Sequence, residues 1–313
     1  MRVVRVVCAR LLEGLLSVFL MLLVVFALAR AASGDPAEIR LQAGSVATDS
    51  QSISALREEL GLDRSLPVQF SAWVRELLGG YAGRSLATDR QVIEELSQRL
   101  PWSFAVGVGG VLLGLVSGAA LGFAAQLSQS RILEAVTRLA AVFSQAVPAF
   151  AFALVLYWLL VVEWHWLRPV SGGTFDKLLG PIVVVAIFSF GSAARVTVSA
   201  LEQVAATQWF LGERAKGFSH EQILWRYGRR YVALSLIAIA LPEFGWALGG
   251  TAVSEAVFGV PGVSIYIIEA AASRDYTVVQ IFLLIVLLWL ACCQAVVAAL
   301  LAWLDPRPRN IFG

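Results

Sequence analysis

Charged residues are scarce in this sequence. Only 15% of its 313 residues are Asp, Glu, Lys or Arg, whereas 58% are hydrophobic. Soluble domains average about 25% charged and about 45–50% apolar residues. This composition excludes an ordinary soluble domain and predicts an all-α integral membrane protein with several spans. The net charge of +2 gives no indication of nucleic-acid binding.

Residue types used for catalysis and metal binding are also few. The chain has only two histidines, and its three cysteines, Cys8, Cys292 and Cys293, match neither a disulfide framework nor a zinc site in their spacing. The His-Glu-x-x-His and Gly-x-Ser-x-Gly sequences are absent, as is the Gly-x-x-x-x-Gly-Lys-Ser/Thr phosphate loop. We therefore expect no catalytic, metal or cofactor-binding residues, and no ATP binding of the phosphate-loop kind by this chain alone.

Long apolar stretches alternate with polar segments along the chain. They predict six transmembrane helices, within 1–31 and at about 100–128, 135–162, 178–200, 232–257 and 276–304. Residues 32–99 form an external segment with short helices, residues 205–230 a cytoplasmic loop and residues 305–313 a cytoplasmic tail. Basic residues precede the first predicted span, and the short external loops hold only Arg168, Lys177 and Arg274. The excess of positive charge inside places both termini in the cytoplasm.

Small and polar residues mark particular faces of these spans. Gly110, Gly114, Gly118 and Gly122 are spaced four apart, a strip that lets helix backbones approach closely either within this chain or against a second subunit. A carboxylate at the membrane centre costs about 2.5–3.5 kcal/mol on insertion scales, so polar groups there should face the bundle, a water-filled path or a partner. The candidates for path-lining or partner-facing residues are Gln145, Pro148, Glu243, Gly249 and Glu255. On these grounds alone, a proton-coupled secondary transporter or channel using Glu243 and Glu255 stays open as an alternative.

A polar stretch of residues 213–222 interrupts the apolar pattern between the fourth and fifth spans. Gly217 suits the left-handed turn that ends a helix, and Ser219 with Gln222 has the spacing of a capping box, which predicts a new helix from His220. In that second helix, helical periodicity places four residues on one face: Ile223, Leu224, Tyr227 and Tyr231. Two short helices between spans indicate a docking site for a soluble partner, although an ordinary basic cytoplasmic loop has a similar composition.

Several motifs resemble those of one protein family. Arg214-Ala-Lys-Gly-Phe218 resembles the "RAKG" core of the cytoplasmic loop in permease subunits of binding-protein-dependent ABC importers, of the dipeptide, oligopeptide and nickel class. Other matching segments are Leu56–Arg64, Glu255–Gly262, Arg274–Gln280 and the Asp305-Pro-Arg ending, so the resemblance covers almost the whole chain. The residues before Arg214, Gln208–Glu213, depart from the family pattern.

The resemblance implies a type I ABC importer (MetI-like) permease fold in the bacterial inner membrane. The expected ATPase-coupling residues are Glu213, Arg214, Ala215, Lys216, Gly217, Phe218 and Ser219. The implied partners are two ABC ATPase subunits that use ATP and Mg²⁺, a second related permease forming a heterodimer, and an extracytoplasmic solute-binding protein. Peptides are the expected solute, with nickel, opines and sugars left open.

Overall fold

The computed structural model describes residues 2–31, 35–43, 50–169 and 172–304, and these residues are almost entirely helical, which confirms the all-α prediction. The Asp305-Pro-Arg ending and the side chains of Arg2, Arg5 and Arg10 lie outside the described part. Two short π-helical segments, Trp158–Glu163 and Leu224–Gly228, extend α7 and α10. The helices are α1 Arg2–Ala31, α2 Pro36–Ala43, α3 Ser50–Glu59, α4 Leu66–Leu78, α5 Val92–Ser128, α6 Arg131–Ala146, α7 Ala149–Tyr157, α8 Thr174–Ala205, α9 Gln208–Ala215, α10 His220–Ile223, α11 Arg229–Trp246, α12 Ala252–Phe258, α13 Val263–Ala272 and α14 Tyr276–Leu304.

The chain divides into two compact units, of which the first comprises Met1–Leu100 and Ile265–Leu288. Its helices α1 and α4 pack through aromatic rings, with the Phe70 ring 6.0 Å from Phe19 and 5.4 Å from Phe26, centroid to centroid. Such edge-to-face pairs stabilise by about 0.5–1.5 kcal/mol beyond the area that they bury. The polar segment that follows α1 is thus anchored on this apolar helix.

A buried carboxylate organises another part of the first unit. Asp275, in the Arg274–Gln280 motif, is buried and accepts hydrogen bonds from the Ser85 hydroxyl at 2.5 Å and from the Ala87 amide at 3.3 Å. Its other oxygen accepts from the Val278 amide at 3.4 Å, in the first turn of α14. This motif therefore has a structural role, because it ties the segment around Ser85 to the start of the last long helix.

The second unit comprises Pro101–Ser264 and Trp289–Gly313 and contains most of the helical bundle. Its largest buried aromatic side chain, Phe258 of α12, lies edge-on against Tyr157 of α7 with ring centroids 5.3 Å apart. Val184 and Val185 of α8 belong to the same hydrophobic core, so α8 runs through the centre of this unit.

The glycine strip of α5 packs against α8 within the chain. A Cβ atom added at Gly114 would overlap the Ala186 carbonyl oxygen, and one at Gly118 would overlap that of Phe190. The two helix backbones are in direct contact along this line, as small residues permit. The strip is thus occupied inside this chain, which decides between the two possibilities left open by the sequence.

Several helices reach membrane-spanning length. Among the described residues, α5, α8 and Tyr276–Leu301 of α14 are each long and apolar enough to cross a membrane. Two bent pairs, α6 with Ala149–Glu163 and α12 with α13, reach that length only when each pair is joined. The six-span topology stays a prediction.

The predicted third and fifth spans are both interrupted. Between α6 and Ala149–Glu163 the chain bends by 103° at Val147 and Pro148. Val147 is extended, with ψ 125°, as expected for a residue before proline, and this conformation breaks the helix. In the fifth, α11 ends at Trp246 and α12 begins only at Ala252, after a turn that contains Gly249.

Candidate functional site

Two short helices, α9 and α10, form a helical hairpin between α8 and α11, here called the docking hairpin (residues 208–223). Gly217 joins them with φ +96°, and its amide donates to the Arg214 carbonyl at 3.0 Å. The Ser219 hydroxyl accepts from the Gln222 amide at 3.2 Å, while the Ser219 amide donates to the Gln222 side chain at 3.0 Å. The predicted turn at Gly217 and the predicted capping box are confirmed.

One side of the docking hairpin is part of a hydrophobic core. Phe210 of α9 and Ile223 of α10 are buried together with Leu201 and Val204 near the end of α8. Val232 of α11 closes the same cluster. The hairpin therefore shares one hydrophobic core with the end of α8 and the start of α11.

The opposite side of the hairpin is exposed, and it carries the predicted coupling residues. Arg214, Ala215, Lys216, Phe218 and Ser219 are exposed, together with Gly217, while Glu213 is half-buried. Lys216 Nζ lies 2.7 Å from Glu213 Oε1, and this contact raises the pKa of the Lys216 ammonium. Arg214 is exposed and has no carboxylate within ion-pair distance among the described residues, so its charge is uncompensated there.

The expected single face of Ile223, Leu224, Tyr227 and Tyr231 is wrong. Ile223 and Leu224 are buried, but Tyr227 and Tyr231 are exposed. The reason is the π-helical segment Leu224–Gly228, which has a different number of residues per turn and so rotates the later positions out of the α-helical register.

Exposed aromatic side chains surround the hairpin and were not predicted as part of the site. Trp225 is 58% exposed and Phe218 41%, and the Trp209 ring packs on Tyr227 with centroids 5.3 Å apart. Phe218, Trp225 and Tyr227 border a cavity of about 380 Å³ together with Arg226 and Arg229. Aromatic and Arg residues are enriched in protein interfaces. The high density of aromatic and Arg residues over positions 209–231 is the sequence signal that could have indicated this surface.

His220 is the titratable group nearest the centre of the hairpin. Its ring lies edge-on to Phe210, with centroids 5.4 Å apart. Burial lowers the pKa of His220 below its ordinary value of 6.5, and the positive charge of Arg214 lowers it further. The His220 imidazole therefore stays neutral to a lower pH than an ordinary histidine.

The first two predicted path residues lie at the break in the third span. Gln145 is exposed near the end of α6, and its side-chain oxygen accepts from Arg195 Nη2 of α8 at 2.7 Å. Pro148 is exposed at the bend itself. Arg195 was not among the predicted path residues, although a cation within an apolar segment was the available signal.

The remaining predicted path residues are dispersed through α11 and α12. Glu243 is half-buried and accepts from the Ser189 hydroxyl at 2.7 Å, and Gly249 is exposed in the turn after α11. Glu255 was expected to face the path or a partner, but its side chain is 0% exposed. It accepts from the Thr251 hydroxyl at 2.6 Å and from the Ser264 amide at 3.1 Å, so in this conformation it holds the turn between α12 and α13.

Fold and site together define a multi-span α-helical membrane protein with a partly basic hairpin exposed beyond its long helices. The sequence profile of the family described as "Binding-protein-dependent transport system inner membrane component" matches residues 110–310. That of "Binding-prot-dependent transport system membrane comp, N-term" matches residues 3–107. The chain therefore belongs to the family of binding-protein-dependent transport system inner membrane components, as a permease of ABC importers of the peptide class.

Two named relatives align with this chain over almost their full length. The glutathione transport system permease protein GsiC of Salmonella choleraesuis is 30% identical over 97% of this chain and 98% of its own. The probable peptide ABC transporter permease protein y4tP of Sinorhizobium fredii is 29% identical over 91% and 93%, respectively. Among solved structures, an inward-facing MetNI methionine ABC transporter aligns with TM-score 0.48 and 19% identity, covering 67% of this chain and 94% of that one.

Proposed function

We propose that this chain forms half of the solute pathway of an ATP-driven importer and couples to an ABC ATPase through the docking hairpin. The observation that carries the proposal is the two-sided construction of that hairpin. Its exposed side offers Arg214 and Phe218, whereas its buried side is continuous with the core at the ends of α8 and α11. A partner that pulls on the exposed side thereby moves membrane helices.

The proposed assembly follows the family to which the chain belongs. Two ABC ATPase subunits bind ATP and Mg²⁺ on the cytoplasmic side, and a second, related permease completes the path. An extracytoplasmic binding protein delivers the solute. Six spans with both termini in the cytoplasm of a bacterial inner membrane are part of this proposal, as is a path bordered by Gln145 and Pro148.

Short peptides are the proposed solute. Support comes from the relatives named for peptide and glutathione transport, since glutathione is itself a tripeptide. No observation favours the proton-coupled alternative. Glu255 is fully buried and held by Thr251 and Ser264, so it has no access to water in this conformation.

Co-purification tests the coupling step. The full-length chain would be co-expressed with the ABC ATPases encoded nearest to its gene and isolated by an affinity tag on the permease. We expect the ATPase to be retained, and retention to fall at least tenfold when Arg214→Glu reverses the uncompensated charge. The variant Arg138→Glu, at a cation on α6 outside the hairpin, is the matched control and should retain the ATPase. Equal retention by both variants would exclude the hairpin as the docking element.

A further inference from the structure

Arg195 of α8 is a cation that lacks a carboxylate partner among the residues that the structure describes. One of its nitrogens donates to Gln145 at 2.7 Å, and Gln145 donates in turn to the Ser192 hydroxyl at 3.4 Å. A guanidinium has five N–H donors in a planar fork. The amide contact orients that fork but leaves its charge uncompensated.

Arg195 also lines a cavity of about 340 Å³ between α6 and α8. This volume is at the lower end of the range for small-molecule sites, about 300–1,000 Å³. Four charged side chains line the cavity, and two of them neutralise each other, with Arg138 Nη2 lying 2.7 Å from Glu134 Oε1. The other two, Arg195 and Glu202, have no ion-pair partner within the described part of the chain.

The positions of Arg195 and Glu202 on α8 are spaced like the ends of a short dipolar ligand. The two residues are seven apart in the helix, so their Cα atoms lie on one face about 10 Å apart along the axis. Three residues of extended peptide also span about 10 Å. A tripeptide carries a carboxylate at one end and an ammonium at the other, the complement of these two side chains.

We propose that this cavity is a binding subsite for short zwitterionic peptides. Arg195 binds the terminal carboxylate, Glu202 binds the terminal ammonium, and Gln145 is a positioning residue that orients the guanidinium. The inference rests on the proposed function, in that it assumes a peptide as the solute. It adds that the permease itself recognises both charged ends of that solute on the α6–α8 face.

Equilibrium dialysis of the full-length chain in lipid nanodiscs tests this subsite without any ATPase or binding protein. The probes are radiolabelled trialanine, trialanine amide and N-acetyl-trialanine. We expect the unmodified peptide to bind about tenfold more tightly than either blocked form, because each block removes one charge-assisted contact. Arg195→Gln should abolish the discrimination against the amide only, and Glu202→Gln that against the acetylated peptide only.

The variant Gln145→Leu tests whether peptide discrimination depends on the Arg195 charge itself or on the contact between α6 and α8. It removes the 2.7 Å contact with Arg195 but keeps the cation, so most of the discrimination should remain. The inference is overturned if wild-type chain retains the three peptides equally or not at all, if Arg195→Gln leaves the preference intact, or if Gln145→Leu removes it as completely as Arg195→Gln. Loss of ATPase docking with peptide discrimination intact would count against the proposed function alone.

Discussion

At the scale of single residues, Gly217 sets the angle between the two helices of the docking hairpin. Its φ of +96° lies where a residue with a Cβ is strained by about 1–3 kcal/mol, although open space surrounds the position. We expect Gly217→Leu to insert normally yet to lose most solute-stimulated ATPase activity in the assembled transporter.

Gly212→Leu is the matched control for this variant. Gly212 also faces open space, but it lies inside α9 with ordinary helical dihedrals, so a side chain there meets neither strain nor a clash. If both variants keep normal stimulation, or both lose it equally, the left-handed turn is not what positions the hairpin.

His220 gives the docking hairpin a dependence on pH. Because its pKa in the folded chain is below 6.5, the imidazole contributes full stability above about pH 6.5, where it is neutral in both states. As the pH falls below that value, the unfolded hairpin takes up the proton first, and stability is lost until the folded pKa is reached. Of the groups that face the ring, Arg214 opposes protonation and Glu221 favours it.

Hydrogen exchange measures this effect directly. Amides of residues 208–223 should lose protection between about pH 7.5 and about pH 5.5, after correction for the intrinsic exchange rate. His220→Gln should remove the pH dependence. Protection that is equal at both pH values in the wild type would contradict a neutral imidazole in the hairpin.

At the scale of helices, the contact between α5 and α8 depends on glycines that allow the backbones to touch. We expect Gly118→Ala to lower the thermal stability of the detergent-solubilised chain by about 1–3 kcal/mol, because the new Cβ overlaps the Phe190 carbonyl and forces the helices apart. Gly109→Ala serves as the control, since its Cβ would lie 3.4 Å from the tip of the Ile182 side chain, an ordinary contact. Equal melting temperatures would show that this line of contact is absent.

The turn between α12 and α13 depends on a buried carboxylate. Removing it in Glu255→Ala leaves the Ser264 amide without its acceptor, at a cost of about 1–3 kcal/mol, whereas the Thr251 hydroxyl keeps its contact with the Ser264 hydroxyl. Folding yield and transport should therefore fall together, whereas Glu269→Ala, at an exposed carboxylate of α13, should affect neither. Transport lost at full folding yield would restore Glu255 to the path.

Local signals in the sequence were sufficient for some of these features and not for others. The capping box at Ser219 and the turn at Gly217 were predictable because their chemistry lies within a few consecutive residues. The π-helical segment Leu224–Gly228 was not, since its register depends on how Ile223 and Leu224 bury against α8. The burial of Glu255 was less predictable, because Ser264 becomes its partner only after the chain turns back at Gly259, although Thr251 lies just one helical turn before it.

At the scale of the whole molecule, helix ends rather than helix interiors carry the family motifs. The buried carboxylates Asp275 and Glu255 each fix a turn at the end of a helix, and the docking hairpin closes the end of α8. These motifs therefore preserve the connections between helices. In our proposal, recognition of the solute falls instead to polar side chains on exposed helix faces, with Arg195 and Glu202 as the pair.

Site-directed crosslinking tests the central proposal, contact between the docking hairpin and an ATPase, most directly. A single cysteine at the exposed Ala215 would be introduced after Cys8, Cys292 and Cys293 are replaced by Ala, with Leu78→Cys in the external segment as the control. We expect the cysteine at 215 to crosslink to the co-expressed ATPase in membranes, with a yield that changes on ATP addition, and the cysteine at 78 to give no such product. An ATPase that assembles with the permease yet never crosslinks from position 215 would contradict the proposal.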